Sequence, residues 1–177
     1  MLAARWPDDM RGAAAFHHGA WHYLHLPYTP EGQPACVQPV DPPSENILAA
    51  YQPHLDIVRR RGSAATRAVA LCWVFHLVGD VHQPLHTVAL CTTQFPPPEG
   101  DRGGPRFSSR ARDGAHTIRL HPFWDDLMRG SERFQRVRNT ATALWRQPAH
   151  TRAQLSELTE TQFEQWARQE SFRVAKD

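Results

Sequence analysis

The sequence is poor in cysteine and in lysine, and it has no long apolar run. Its three cysteines, Cys36, Cys72 and Cys91, include no CxxC pair, which excludes a cysteine-rich zinc site and leaves one disulfide of unassigned pairing possible. Lys176 is the only lysine among 20 basic residues, and a net charge of +2 is too small to indicate a nucleic-acid partner by its field alone. No apolar run approaches the roughly 20 residues of a membrane span, so no span is predicted.

The two ends of the sequence also lack expected features. The residues before Trp6 contain no apolar segment of a signal peptide, and the last residues still have a helical pattern. We therefore expect a single domain over residues 1–177 that is cut at both ends. At 177 residues, of which 41% are hydrophobic, the chain is long enough to bury a core. Eleven histidines stand out in the composition, and they matter only where their spacing forms a site.

The apolar residues have helical spacing in the first half of the chain. Residues 45–61 have apolar side chains three and four apart, which predicts a helix with Ser44 as its N-cap. Pro53 is expected to kink or divide this helix. Residues 63–81 are nearly apolar all round, which predicts a helix in the middle of the domain. Pro84 is expected to end or bend it.

The second half of the sequence begins with a long loop. Residues 92–119 are rich in Pro, Gly and Arg, and a short hairpin is expected at 106–118. Capping-box spacings start at Thr159 and at Thr161. No strand alternation is found outside the loop, so the predicted class is all-α. Further helices are predicted at 122–129, 132–145 and 154–174.

A His-x-x-x-Asp pair lies near the end of the central apolar helix. His76 and Asp80 are four residues apart, so their side chains leave the same face of a helix, one turn from each other. Both could reach one cation, and the two oxygens of Asp80 could bridge two. Because Pro84 breaks the helix, His86 can turn toward a neighbouring position. An isolated His-x-x-x-Asp motif is more often an ordinary core histidine beside a carboxylate. Burial of both groups without a cation would be costly, however, and this favours a metal site.

A second pair with the same spacing follows the long loop. Pro122 suits the first turn of a helix, so His121 lies at its entrance and Asp125 one turn later. With His86, the two pairs supply five nitrogen and oxygen ligands. Zinc uses ligands of this type in catalytic sites. The spacing therefore predicts a zinc centre.

These motifs resemble those of the zinc-dependent single-strand nucleases, the S1/P1 family, whose fold is shared with zinc phospholipase C. The central motif, His-x-x-Gly-Asp-x-x-Gln-Pro-Leu-His, occupies residues 76–86. Asp-x-Gly-Gly at 101–104 and Leu-His-x-x-Trp-Asp at 120–125 follow in the order of the family. Upstream, Trp-x-Asp at 6–8 and Trp-His-Tyr at 21–23 agree as well. The resemblance implies a multi-helix domain of this fold with the long Arg/Gly/Pro loop at 92–119.

The resemblance also implies a cluster of up to three zinc ions. Asp80 would reach the third zinc, whose other ligands in the family are an amino-terminal Trp and a nearby His. No residue before Trp6 matches them, so two zinc ions and weak activity are expected for this chain. Asp8 would also accept a proton from the attacking water or orient it, so Asp8 and Asp80 are the expected catalytic residues. The implied ligands are Asp8, His22, His76 and Asp80 for one zinc, and His86, His121 and Asp125 for a second.

The resemblance implies contacts with substrate in two regions. Tyr23 would stack on a base, and further contacts would come from the loop. The chain departs from the family at Pro105 and at Arg119, where the family usually has Asn. The expected substrate-binding residues are Tyr23, Asp101, Gly103, Gly104 and Arg119.

The expected activity is hydrolysis of phosphodiester bonds in single-stranded RNA and DNA by metal-activated water. Removal of the 3′-phosphate from nucleotides is a related expectation. The resemblance implies a secreted or periplasmic protein, and a monomer is expected. Asp125, where Glu would be the alternative, is more similar to the nuclease branch than to the phospholipase branch. Two alternatives stay open: a zinc phospholipase C, and a zinc-binding remnant without turnover.

Several residues close to the candidates are expected to have other roles. His17, His18, His25 and His82 are expected not to bind metal. The arginines of the loop form either a solvated surface or a rim that follows phosphates. Trp124, Trp145 and Trp166 are expected in the core. The loop arginines are Arg102, Arg106, Arg110, Arg112 and Arg119.

Overall fold

We describe the protein from a computed structural model, in which the described residues are 2–36, 44–60, 62–110, 112–127, 133–150, 154–155 and 161–176. Helices predominate in these ranges and the strands are short, so the all-α prediction is confirmed. The first helix, α1 (Leu2–Asp9), is an addition to the predicted elements. It packs along the central helix of the domain, and this contact brings Asp8 toward the candidate site.

The central helix, α3 (Ala64–Val81), confirms the predicted apolar helix. Ser63 caps it, since its Oγ accepts a hydrogen bond from the Thr66 amide at 3.1 Å. Its side chains at Trp73 and Leu77 are almost fully buried. They form the middle of the core because α1 and α2 pack against α3.

Length and composition alone would also allow α3 to cross a membrane, since its mean hydropathy is 1.3 over 18 residues. Among the described residues it is the only helix that passes this test. The core helix of a soluble protein passes the same test, so the result is weak evidence for a span.

Helix α2 (Ile47–Arg59) corrects the predicted N-cap and excludes one of the two effects expected of Pro53. Its N-cap is Asn46 and not Ser44, because Asn46 Oδ1 accepts hydrogen bonds from two amides of the first turn, each at 3.0 Å. Pro53 lies inside the helix and does not divide it. A proline inside a helix costs about 3 kcal/mol, and the packing of α2 on α3, which buries Ile47, offsets that cost.

Two short strands outside the loop contradict the expectation that no strand occurs there. β1 (Leu26–Tyr28) and β2 (Val88–Leu90) pair in parallel, with Leu26 opposite Val88. The pair joins two segments that carry candidate ligands upstream of the strands, with His22 four residues before β1 and His86 two residues before β2. Three residues are too few to show alternation, which explains why the sequence did not reveal them.

The long loop contains the predicted hairpin in a minimal form. β3 (Ser108–Ser109) and β4 (Ile118–Arg119) pair antiparallel. The next helix, α4 (Leu120–Asp126), starts two residues earlier than predicted and follows β4 directly. The antiparallel pair therefore sets the entrance of the helix that carries His121 and Asp125.

Helix α5 (Phe134–Trp145) lies close to its predicted bounds, and residues 128–132 are outside the described residues. No residue of α5 is buried. Trp145 is 66% exposed, so the prediction that it belongs to the core is wrong. By contrast, Trp166 packs against the core.

The C-terminal segment is helical but irregular. α6 (Phe163–Gln165) leads into a π-helical turn (Trp166–Ser171) and then into α7 (Phe172–Lys176). Gln162 precedes the helix without a side-chain cap, so the predicted capping box at Thr161 is wrong, and Thr159 lies outside the described residues. The segment is anchored to the end of α3 by a hydrogen bond that Ser171 Oγ donates to Val81 O.

The disulfide left open by the sequence joins Cys36 to Cys91, and Cys72 is free. Cys91 is fully buried and directly follows β2. The disulfide therefore ties the chain after β1 to the end of β2, next to the turn at 100–104.

Candidate metal centre and active site

The first candidate ligand group combines α1, α3 and the 3₁₀ turn at Gly19–His22. His22 Nδ1 lies 2.7 Å from His76 Nε2, and His76 Nε2 lies 3.9 Å from Asp8 Oδ1. Asp80 Oδ2 is 3.0 Å from each of the two imidazole nitrogens. Atoms bound about 2.0–2.2 Å from one zinc lie within about 4.4 Å of each other, so these distances fit a shared cation.

The second candidate group combines the turn after α3 with α4. His86 Nε2 lies 3.7 Å from Asp125 Oδ1, and His121 Nε2 lies 3.8 Å from Asp125 Oδ2. The two imidazole rings stack, with centroids 4.7 Å apart. Two nitrogen donors and one carboxylate are three ligands, which is the number that a catalytic zinc site uses when a water occupies the fourth position.

The two groups are adjacent, and Asp80 lies between them. Its Oδ2 is 3.7 Å from His86 Nδ1 as well as in contact with the first group. His86 Nδ1 in turn donates to the main-chain oxygen of His22 at 2.6 Å. The structure thus brings all seven predicted ligand residues to one region, although their binding of metal is a proposal.

Three of the imidazoles are oriented by main-chain carbonyl groups. Nδ1 of His76 donates to Ala4 O at 2.7 Å, and Nδ1 of His121 donates to Gly103 O at 2.6 Å. His86 does the same with the carbonyl of His22. A carbonyl can only accept, so each Nδ1 carries a proton, and in the neutral form of each ring the lone pair is on Nε2. Metal-binding histidines are held in this way, and the donor set therefore fits zinc.

The first group favours an ionised carboxylate. Burial acts to raise the pKa of Asp80, but hydrogen bonds from His22 and His76 outweigh it and hold the pKa well below its usual range. Burial acts to lower the pKa of His76, but the hydrogen bond and the charge of Asp80 outweigh burial, so the pKa of His76 is raised. The anionic form of Asp80 thus persists in the site even without a cation.

In the second group the two imidazoles differ. Burial and the neighbouring His86 lower the pKa of His121, so it is neutral at pH 7. Burial acts to lower the pKa of His86 too, but Asp125 and Asp80 raise it. Burial acts to raise the pKa of Asp125, but the hydrogen bonds from His86 and Gln83 outweigh burial, so the pKa of Asp125 is lowered. A neutral imidazole beside an anionic carboxylate is the state that binds a divalent cation.

The predicted substrate residues of the loop have another arrangement. Asp101 is only 3% exposed, and its Oδ1 accepts hydrogen bonds from the amides of Leu90 and Gly103. Gly103 and Gly104 form the turn that packs against Leu85. Arg119 is exposed and directly precedes α4. The structure therefore places Arg119 at the surface beside the site and buries the carboxylate of Asp101.

Tyr23 lies beside the site, and one face of its ring is covered. The ring stacks on His25, with centroids 4.5 Å apart and planes at 25°. His25 itself is buried, and it lies outside both candidate ligand groups. The stack on His25 therefore covers part of the Tyr23 ring.

The other histidines near the motifs have contacts outside the two groups. His82 Nδ1 lies 2.8 Å from Glu170 Oε1, and the His18 ring stacks on Trp21 with centroids 3.7 Å apart. Gln83 was not among the predicted site residues, yet its Nε2 donates to Asp125 Oδ1 at 3.1 Å. The position of Gln83 inside the Gln-Pro-Leu-His motif is the sequence feature that could have indicated a role at the site.

A helical domain with two adjacent His/Asp groups that suit divalent cations defines the class of this protein as a candidate metallohydrolase. The family model of the S1/P1 nucleases matches residues 1–177, the whole chain, and the chain belongs to the S1/P1 nuclease family. The family supports the role of a hydrolase that acts on phosphodiester bonds, and its members are zinc enzymes. No curated protein matches the chain.

Proposed function

We propose that the protein hydrolyses phosphodiester bonds in single-stranded RNA and DNA, and that it removes the 3′-phosphate of nucleotides. The observation that carries the proposal is the pair of ligand groups, in which main-chain carbonyls orient three of the four imidazoles so that Nε2 of each neutral ring can bind a cation. Bound zinc would supply a water of lowered pKa and positive charge beside the phosphate. Two ligand groups in the described residues support two zinc ions per chain.

The burial of the ligands indicates the side from which substrate approaches. The imidazoles of His22 and His76 are buried, whereas the side chains of Asp8 and Asp125 are 41% and 46% exposed. The centre is therefore open on its carboxylate side, where a phosphodiester can reach it. We assign Asp8 as the residue that orients the attacking water or accepts its proton, and Asp80 as the residue that holds His22 and His76.

Residues around this opening would bind the substrate. We propose that Arg119, exposed next to the start of α4, contacts a phosphate. The Tyr23 ring, which lies beside the site, would stack on a base. Arg106 and Arg110 are held within the loop by hydrogen bonds to Gly100 O and Thr117 Oγ1, so we assign them to loop structure.

The disulfide and the family support a proposal for the cellular setting. The Cys36–Cys91 disulfide is typical of an oxidising compartment, and family members are generally secreted. We propose a secreted or periplasmic protein of one domain that acts as a monomer.

A direct assay tests the proposed function. Zinc-loaded protein is incubated with single-stranded DNA, single-stranded RNA, a matched duplex, 3′-nucleotides and phosphatidylcholine vesicles. We expect products from the single strands and the 3′-nucleotides, loss of activity after chelation, and recovery with zinc. His86→Ala should lose activity, whereas His116→Ala in the exposed loop should keep it.

Two outcomes would replace the proposal. Products from phosphatidylcholine alone would indicate a phospholipase C. Two bound zinc ions without any product would indicate a zinc-binding protein without turnover.

A further inference from the structure

The turn at residues 100–104 is in contact with the second candidate ligand group. Gly103 O accepts the Nδ1 proton of His121 at 2.6 Å, and this bond determines which ring nitrogen faces Asp125. If the carbonyl moved away, the ring could protonate at Nε2 and lose its free lone pair there. The position of the Gly103 carbonyl therefore controls the second group.

One buried carboxylate fixes this turn to the sheet. Asp101 Oδ1 accepts the Leu90 amide at 2.8 Å and the Gly103 amide at 3.1 Å, while the Asp101 amide donates to Leu90 O at 2.9 Å. Leu90 is the last residue of β2, and Cys91 after it is held by the disulfide. The turn is thus attached to the end of β2, next to the disulfide.

The backbone of Gly103 is equally constrained. Its φ of +75° is in the left-handed region, and a Cβ there would lie 2.2 Å from Leu85 O. Only glycine allows this approach. The close contact and the Asp101 hydrogen bonds act together, because both set the direction of the Gly103 carbonyl.

We propose that Asp101 is a positioning residue for the metal centre, which acts through Gly103 to fix the tautomer and orientation of His121. This inference rests on the second ligand group of the proposed function. It replaces the expected role of Asp101 in substrate binding, because a residue that is 3% exposed and bonded to two amides cannot reach a substrate. The role requires an acceptor oxygen at Oδ1 and does not require the negative charge.

The requirement for an oxygen, and not for a charge, gives a selective test. Asp101→Asn keeps Oδ1 as acceptor for both amides, whereas Asp101→Ala removes it. The control is Asp113→Ala, an exposed residue of the same loop. Zinc-loaded proteins are exposed to increasing chelator, and zinc per chain is measured by atomic absorption. Loss of a partner that orients a metal ligand typically weakens metal binding about 10–100-fold.

We expect Asp101→Ala to weaken the binding of one of the two zinc ions about 10–100-fold and to leave the binding of the other unchanged. Asp101→Asn and Asp113→Ala should retain both. A second readout does not need metal: long-range ¹H–¹⁵N spectra should show the Nδ1–H form of His121 in the wild type and in Asp101→Asn, and a mixture of tautomers in Asp101→Ala.

The outcomes separate this inference from the proposed function. If the wild type binds two zinc ions but cleaves no substrate, the function fails and the role of Asp101 still stands on zinc retention and tautomer. Wild-type retention in Asp101→Ala would overturn the role. If Asp101→Ala does not fold, the Asn variant decides: retention of both ions and of the Nδ1–H form supports the role, and loss of zinc from a folded Asn variant overturns it.

Discussion

Replacing Asp80 by Asn tests whether one carboxylate joins the two ligand groups. Its Oδ2 lies 3.0 Å from His22 Nδ1 and His76 Nε2, and 3.7 Å from His86 Nδ1, with only 15% of the side chain exposed. Asn keeps the shape and loses the charge that holds these imidazoles. Breaking a buried charged pair costs about 3–5 kcal/mol, so in metal-free protein we expect the free energy of unfolding to fall by about 3 kcal/mol.

Zinc enlarges the effect because Asp80 would also be a ligand. A ligand that binds only the native state adds about 2.7 kcal/mol when its free concentration is 100 times its dissociation constant. A hundredfold loss of affinity in Asp80→Asn would remove most of this at the first group. The difference between wild type and variant should therefore be larger in zinc than in chelator.

In metal-free protein the difference should also depend on pH. The pKa of Asp80 is lowered on folding, so its contribution is present above about pH 3.8 and is lost as the pH falls through the lower folded value. The pKa values of His76 and His86 are raised, so their contribution is present below about pH 6.5 and is lost as the pH rises through the folded values. We therefore expect the difference in free energy of unfolding between the wild type and Asp80→Asn to be largest at about pH 5.

Urea unfolding at fixed zinc or fixed chelator, followed by tryptophan fluorescence, measures these differences, and atomic absorption gives zinc per chain. The control is His82→Ala, which lies two residues away and pairs with Glu170 at a ring that is 35% exposed. It should cost less than about 1 kcal/mol and leave the zinc content unchanged. Equal losses of stability and zinc in both variants would refute the assignment of faces on α3.

Two further substitutions have matched controls. Gly114→Ala, at φ +76° in open space, should cost about 1–2 kcal/mol in urea unfolding. Gly103→Ala has nearly the same φ, +75°, and a main-chain oxygen 2.2 Å from its new Cβ, so a further cost of about 1–3 kcal/mol is expected; equal costs for the two variants would mean that the turn shifts without strain. Cys91→Ser opens the disulfide to Cys36, which spans 55 residues, and should cost about 4 kcal/mol in thermal or urea unfolding. Cys72→Ser should cost little, and a similar loss in both would contradict a stabilising disulfide.

The sequence predicted the elements whose local pattern is long. Residues 64–81 are apolar all round and form the central helix, and His76 and Asp80 share a face there as the spacing required. The second pair, His121 and Asp125, follows the same rule. These predictions depend only on helical periodicity, which a sequence shows directly.

The elements that the sequence did not predict depend on contacts far along the chain. β1 and β2 have three residues each, and their pairing over about 60 positions leaves no local pattern. Similarly, the partner of His121 is a carbonyl 18 residues away, and no side-chain type identifies it. The cap of α2 is Asn46 because it precedes the first buried turn, and Ser44 was an equally good residue type at a different position.

The candidate ligands come from positions 8 to 125, and only the segments 76–86 and 121–125 supply more than one of them locally. Most of the centre therefore forms only after distant parts of the chain have met, and because closing long loops is entropically costly we expect these contacts to form late in folding. Interactions that form after the transition state change the unfolding rate and leave the folding rate almost unchanged. Bound zinc would therefore slow unfolding and leave the folding rate almost unchanged, so it would determine the lifetime of the folded protein and not the speed at which it forms.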